Sequence, residues 1–168
     1  MDDLQGALQQ AEAEERELVL PSFSNEDALA LGLGVVELAR SRGLAVAVDV
    51  ERAGHRLFHH AMAGTTPDNL DWIERKKRAV YRWQHSSWSV GLRNRIKGRT
   101  LAEQLGAAAP DYADHGGAFP ISVRGVGFVG TVAVSGLPQR EDHELVVQAL
   151  RAFLARRREA PPPAGGPG

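Results

Sequence analysis

Three kinds of residue in this chain could do chemistry: scattered histidines, a lysine set in an apolar helix face, and glycines beside a histidine. The histidines stand at 55, 59, 60, 85, 115 and 143. There is no cysteine, which excludes disulfides, thiolate metal sites, cysteine nucleophiles and iron–sulfur clusters. His55 and His59 fall in a segment read as a strand, where four positions span roughly 13 Å, and His59 and His60 point to opposite faces of it. No histidine pair has the i, i+4 spacing of a zinc site within a well-defined helix. The spacing supports no metal site.

His115-Gly116-Gly117 has the form of an esterase oxyanion loop, but the chain holds no G-x-S-x-G nucleophile elbow, so a hydrolase has no nucleophile here. Two glycines let the backbone come close to another group, with the imidazole beside it as a titratable or ligating arm. The other reading is a loop that needs positive φ, with His115 exposed or capping. Gly125-Val126-Gly127-Phe128-Val129-Gly130 matches G-x-G-x-x-G, yet it leads into Thr131-Val132-Ala133-Val134, a strand. The dinucleotide mechanism needs a helix N-terminus at that point, so the segment reads as a hairpin turn.

Lys76 is set apart by helical geometry. At about 100° per residue, Trp72, Ala79 and Trp83 share one side of a helix with Ile73 and Val80 beside them, and Lys76 falls inside that arc. Arg75, Lys77, Arg78 and Arg82 fall outside it. A lysine so placed snorkels to the rim, pairs with a buried carboxylate, for which Asp49 is the candidate, or points its ammonium into a pocket.

The elements that must position these groups follow from pattern. Asp2–Glu15 is a polar surface helix and Leu18–Leu20 a short strand ending at Pro21. Ser24 and Asp27 make a capping box ahead of a helix that Gly43 ends. Leu44–Val50 alternates large and small residues, with Asp49 on the small face, and Ala53-Gly54 turns it into Arg56–Met62. Thr66-Pro67 opens a helix to about Gln84, and Ser87–Lys97 is closed by Gly98. A helical turn is expected within Leu101–Tyr112, then a hairpin of Phe119–Arg124 and Phe128–Ser135, then a helix from Pro138 with an apolar stripe. Five strands in hairpins with helices between them predict an α+β fold, an antiparallel sheet covered by helices.

The chain has 168 residues, 43% hydrophobic and 24% charged, which suits one globular domain over 1–159, N-terminal helix included. The stretch from Ala160, APPPAGGPG, reads as a disordered Pro/Gly tail over 160–168. No apolar run approaches the roughly 18 residues of a membrane span, and the acidic start is unlike a signal peptide, so a cytoplasmic protein is expected. The formal net charge is −1, but it is uneven. Acids crowd residues 1–17, whereas 75–99 hold bases and no acid, with Trp83 and Trp88 among them and Trp72 beside them. A nucleic-acid surface is disfavoured because the rest of the chain cancels that charge and the tryptophans have core-like spacing. Self-association, with the acidic helix of one subunit on a basic segment of another, is the preferred use.

The sequence also resembles an uncharacterised bacterial and fungal family within the heme-degrading-domain (GlcG/HbpS-like) superfamily, from about Leu18 to Leu154. The resemblance is carried by Pro21-Ser22-Phe23, Gly64-Thr65-Thr66-Pro67-Asp68-Asn69, Arg75-Lys76-Lys77 and His85-Ser86-Ser87. It continues through His115-Gly116-Gly117-Ala118-Phe119-Pro120-Ile121, the run from Gly130 to Pro138, and Asp142-His143. It implies a profilin-like, three-layer α/β/α fold with a five-stranded antiparallel sheet, and a homo-oligomer built from dimers. Some members of the superfamily bind or degrade heme, for which His85, His115 and His143 are the candidate axial ligands; without cysteine, no Cys-Pro heme motif is available. The expected site is a pocket, with a subunit boundary as one place for it, lined by Lys76, His85, His115, Gly116, Gly117 and His143. Its cationic and imidazole groups and exposed backbone N–H suit a small anionic ligand. A heme or small-metabolite enzyme and an oligomeric scaffold without a ligand are the alternatives.

Overall fold

The computed structural model describes residues 2–159, so the tail expected from 160 onward lies outside the described residues. Strand β1 (Ala47–Arg52) turns at Ala53-Gly54 into β2 (His55–Ala61). Both turn residues have positive φ, 46° and 83°, which matches the twist of a tight two-residue hairpin. β3 (Ala118–Val123) and β4 (Gly127–Ser135) form the second hairpin, and β1 pairs antiparallel with β4 to give the order β2-β1-β4-β3. The G-x-G-x-x-G letters accordingly run from the hairpin turn into β4, with no helix behind them.

Alternation along the strands builds two cores. Val46, Val48, Val50, Phe119, Ile121, Val132 and Val134 pack in one cluster with α2 (Asn25–Ser41) and α6 (Gln139–Glu159). Ala47, Ala118 and Ala133 on the opposite face meet Ile73 and Val80 of α3 (Pro67–Trp83). The small residues of that face let α3 come close to the sheet. The result is three layers: α2 and α6, the sheet, then α3 with α4 (Ser87–Ile96). The expected Ser24–Asp27 capping box is present at the start of α2, and Pro67 sits in the first turn of α3. α5 (Leu101–Leu105) and a 3-10 turn (Gly106–Asp111) fill the segment expected to hold one helical turn, and α1 (Asp2–Glu17) lies against α4.

Among the described residues the sheet has four strands, not the five expected. Leu18–Leu20 reduces to one parallel bridge between Leu20 and Val123. Leu20 donates to the Ser122 carbonyl at 2.8 Å and accepts from Arg124 N–H at 2.8 Å. Pro21 follows with no N–H to extend the ladder, and the chain turns towards the α2 cap. Among the described residues no helix is long and apolar enough to cross a membrane.

Candidate functional site

The His115 loop is seated by three glycines. A Cβ on Gly91 of α4 would overlap the Asp114 carbonyl oxygen, and one on Gly116 would overlap the Gln139 carbonyl oxygen at the start of α6. Gly117, at φ 136°, leaves no room at all: a Cβ there would lie 2.6 Å from the Val134 oxygen and 2.7 Å from Lys76 Nζ. The loop is also tied down by hydrogen bonds. Ala113 N–H donates to the Arg75 carbonyl (3.1 Å), and Asn94 Nδ2 donates to Asp114 Oδ2 (2.9 Å). Gly116 N–H donates to Gln139 Oε1 (3.2 Å), and Ala118 N–H to Ser87 Oγ (3.0 Å). Among the described residues the His115 side chain makes no such bond; its Nδ1 is 3.6 Å from Asp114 Oδ1, and its ring meets Trp72 edge-on at 5.2 Å.

Beneath this loop lies a cleft of about 210 Å³ lined by Lys76, Asp142, His115, Trp72, Asn69 and Ser135, among others. Lys76 Nζ donates to Asp142 Oδ2 (3.0 Å) and to the Val134 carbonyl (3.2 Å). Asp142 takes a further bond from Leu137 N–H at 3.0 Å. Both partners are buried, 3% and 1% exposed. Burial pushes the Asp142 carboxyl up to about 6 against the pull of Lys76, and burial holds the Lys76 ammonium below its ordinary value. Burial, with help from Lys76, Arg95 and Arg75, also lowers His115, while Asp114 opposes. At neutral pH the loop therefore presents a neutral imidazole in a cationic neighbourhood. Arg75 stacks on the other ring partner, its guanidinium 4.1 Å from the Trp72 centroid.

Of the six expected site residues, Gly116 and Gly117 are buried in the loop beside the cleft, and Lys76 and His115 line it. His143 and His85 do not. The His143 Cβ backs onto Gly116, but its imidazole turns to α1, Nε2 lying 2.7 Å from Glu14 Oε2 and Nδ1 having no partner among the described residues. His85 Nδ1 lies 2.7 Å from Glu15 Oε2, and the same carboxylate accepts from Ser86 N–H and Ser89 Oγ. Both histidines are therefore docking points for the N-terminal helix.

That docking also corrects the use expected for the charge blocks. Glu12 meets Arg93 at 2.7 Å and Glu17 meets Arg151 at 3.1 Å, so the acidic helix finds its cations within its own chain. Asp49 is not the partner of Lys76. It faces Lys77 Nζ (3.0 Å) and Arg56 Nε (2.6 Å), with Glu51 and Glu74 also on Lys77 at 3.1 Å. One step along α3 turns Lys77 towards β1 and Lys76 towards β4. Lys77, expected outside the apolar arc, is as buried as Lys76, because carboxylates on the sheet receive it. Those carboxylates outweigh burial and raise its pKa. Among the described residues no group of three or more His, Asp or Glu is arranged to hold a metal ion.

Sequence reasoning missed Asp142 as the lysine's partner. It stood only beside His143 in the family resemblance, and no spacing rule links it to Lys76 across 66 positions. An acid in the first turn of the last helix, next to a buried helix face, was the available signal.

Comparisons with known proteins agree with this architecture. A family model described as "Haem degrading protein HbpS-like" matches residues 23–151. A UPF0303 protein of Streptomyces avermitilis is 57% identical over 145 residues, covering 86% of this chain and 89% of its own. Among solved structures, that of the Ybr137w protein aligns with a TM-score of 0.82 and 32% identity, covering 89% of this chain and 88% of the other. A PduOC:heme complex shares the fold at a TM-score of 0.65 and 18% identity, covering 78% and 94%.

Proposed function

For a chain that belongs to the heme-degrading HbpS-like family, we propose the role of a cytoplasmic, homo-oligomeric protein that binds a small anion in the cleft beneath its His115 loop. One observation carries this reading: Lys76 and His115 line a single concavity together with Trp72, Asn69 and Ser135, with Arg75 and Arg95 near enough to bias the imidazole. Trp72 supplies an apolar wall for the body of the ligand. The Lys76–Asp142 pair is neutral as a unit when both are charged. As Asp142 takes up a proton near pH 6, the uncompensated ammonium remains and anion binding strengthens.

Heme does not fit this cleft. At about 210 Å³ it lies below the roughly 300–1,000 Å³ usual for pockets that enclose a drug-sized ligand. Its lining includes Asp68, Asn69, Ser135, Gln139 and Asp142, where a porphyrin needs an apolar slot. His143 and His85 are engaged by Glu14 and Glu15, which leaves His115 alone as a free imidazole of the expected three. Assembly is supported by the outer edge of β2, which pairs with no strand among the described residues, and by the exposed Leu29 and Leu33 of α2.

Benzoate is a suitable probe, with a ring for Trp72 and a carboxylate for the Lys76–His115 side. Titration calorimetry is expected to show saturable binding that Lys76→Met and His115→Ala each weaken by about tenfold, an energy of about 1.4 kcal/mol. Binding that neither substitution changes would refute the assignment.

A further inference from the structure

His115 and Gln139 line two clefts at once. On one side is the Lys76 cleft; on the other is a cleft of about 300 Å³ bounded by α4 and the start of α5, where Arg95 and Arg99 stand. We infer that Arg95 and Arg99 form a second anion subsite, continuous with the Lys76 cleft across His115, that holds the terminal oxyanion of a ligand longer than the Lys76 cleft alone. This rests on the reading of that cleft as the place of the ligand's body.

Several arginines of this chain are taken up by an acid, and among the described residues these two are not. Arg93, Arg56, Arg140 and Arg151 each meet a carboxylate. Among the described residues neither Arg95 nor Arg99 has a carboxylate within ion-pair distance. Arg95 lays its guanidinium over Trp88, 4.9 Å from the ring centroid, which orients the planar fork without using its N–H groups. Arg99 donates Nε and Nη2 to the neutral Asn94 Oδ1 (3.3 and 3.1 Å), which fixes its plane and leaves its charge unpaired.

The acids nearby are otherwise engaged. Asp114 accepts from Asn94, and Glu103 caps α5 by accepting from Thr100 N–H and Oγ1. Gly91 holds the arrangement together: any side chain there would collide with the Asp114 carbonyl and reach within 3.2 Å of an Arg95 terminal nitrogen. Two oriented guanidinium groups suit a phosphate or a carboxylate, each of which accepts paired N–H bonds. The ligand class is thus an elongated molecule with a terminal phosphate or carboxylate.

The side-chain N–H signals of Arg95 and Arg99 and the indole N–H of Trp72, followed by NMR, report the two compartments separately. Inorganic phosphate and acetate serve as probes of a phosphoryl or a carboxylate terminus. Either is expected to move the Arg95, Arg99 and His115 signals saturably, the tighter one naming the group. Arg95→Gln and Arg99→Gln should each weaken that binding by about tenfold. Arg95 is exposed and Arg99 half-buried, and unchanged Trp72 and Trp83 signals would certify the fold. If the anions move Trp72 but neither arginine, or if both substitutions leave binding as it was, the subsite is refuted while the Lys76 cleft stands. If they move the arginines but benzoate binds nowhere, the subsite stands and the reading of the Lys76 cleft falls.

Discussion

Lys76 gives hydrogen bonds to a carboxylate and a carbonyl in a place that solvent hardly reaches, and removing one member of such a pair is costly. Lys76→Met leaves Asp142 buried without its ammonium and is expected to cost about 3–5 kcal/mol above pH 7. Lys76→Met combined with Asp142→Leu should cost less than Lys76→Met alone, read by urea denaturation; a double variant as unstable as the sum would refute the coupling. Asp142 alone also sets a pH slope. Its carboxyl titrates near 6 in the fold against 3.8 as its ordinary value, so the folded state binds the proton more tightly between the two. Its contribution to stability is therefore largest in acid and is lost as pH rises from about 4 to 6, by about 3 kcal/mol. Gly117→Ala forces a Cβ against Val134 and Lys76 at a φ that disfavours any side chain, and should cost about 2 kcal/mol together with benzoate binding. The imidazole, the lysine and the paired glycines were legible in the sequence because each is odd for its place. Asp142 was not, since only the packing of α6 on the sheet brings it to Lys76.

At the scale of elements, α1 is held chiefly through its acids. Glu12, Glu14, Glu15 and Glu17 each reach a cation or histidine on α4, α6 or the segment before α4. Burial pushes Glu14 and Glu15 up, but bonds to His143, His85, Ser86 and Ser89 outweigh it and leave both below the ordinary 4.5. Carboxylates lowered by folding stabilise above that value and lose their effect as pH falls through the lowered one. Limited pepsin digestion at successively lower pH, from 4.5 downward, should therefore release α1 before it cuts the sheet. Glu15→Ala, which strands Ser86 N–H and His85, should bring the same release to higher pH. The hairpins, capping box and helices were readable from local rules, since Ala53-Gly54, Ser24–Asp27 and Thr66-Pro67 act over a few residues. The fifth strand was over-read: Leu18–Leu20 has strand-like residues, but Pro21 limits it to one bridge. Lys77 was misread because a helical wheel ranks faces by apolarity, while Asp49 and Glu51 make a second face of α3 a place for charge.

For the whole molecule, the opposed charge blocks suggested subunits held by salt-sensitive contacts, yet Glu12, Glu14, Glu15 and Glu17 of the acidic block find their partners within one chain. Light scattering should accordingly find an oligomer whose mass is unchanged between low and high salt; dissociation by salt would return the charge blocks to the interface. The central claim is that a cleft closed by the His115 loop binds anions through Lys76, with Asp142 as its proton-controlled counter-charge. Benzoate affinity measured by calorimetry from about pH 8 down to about pH 6, for the natural chain and for Asp142→Asn, tests it most directly. Affinity is expected to rise about fivefold or more on acidification in the natural chain, whereas Asp142→Asn binds tightly throughout with little pH dependence. Affinity that is flat with pH in the natural chain, or that falls on acidification, would contradict it.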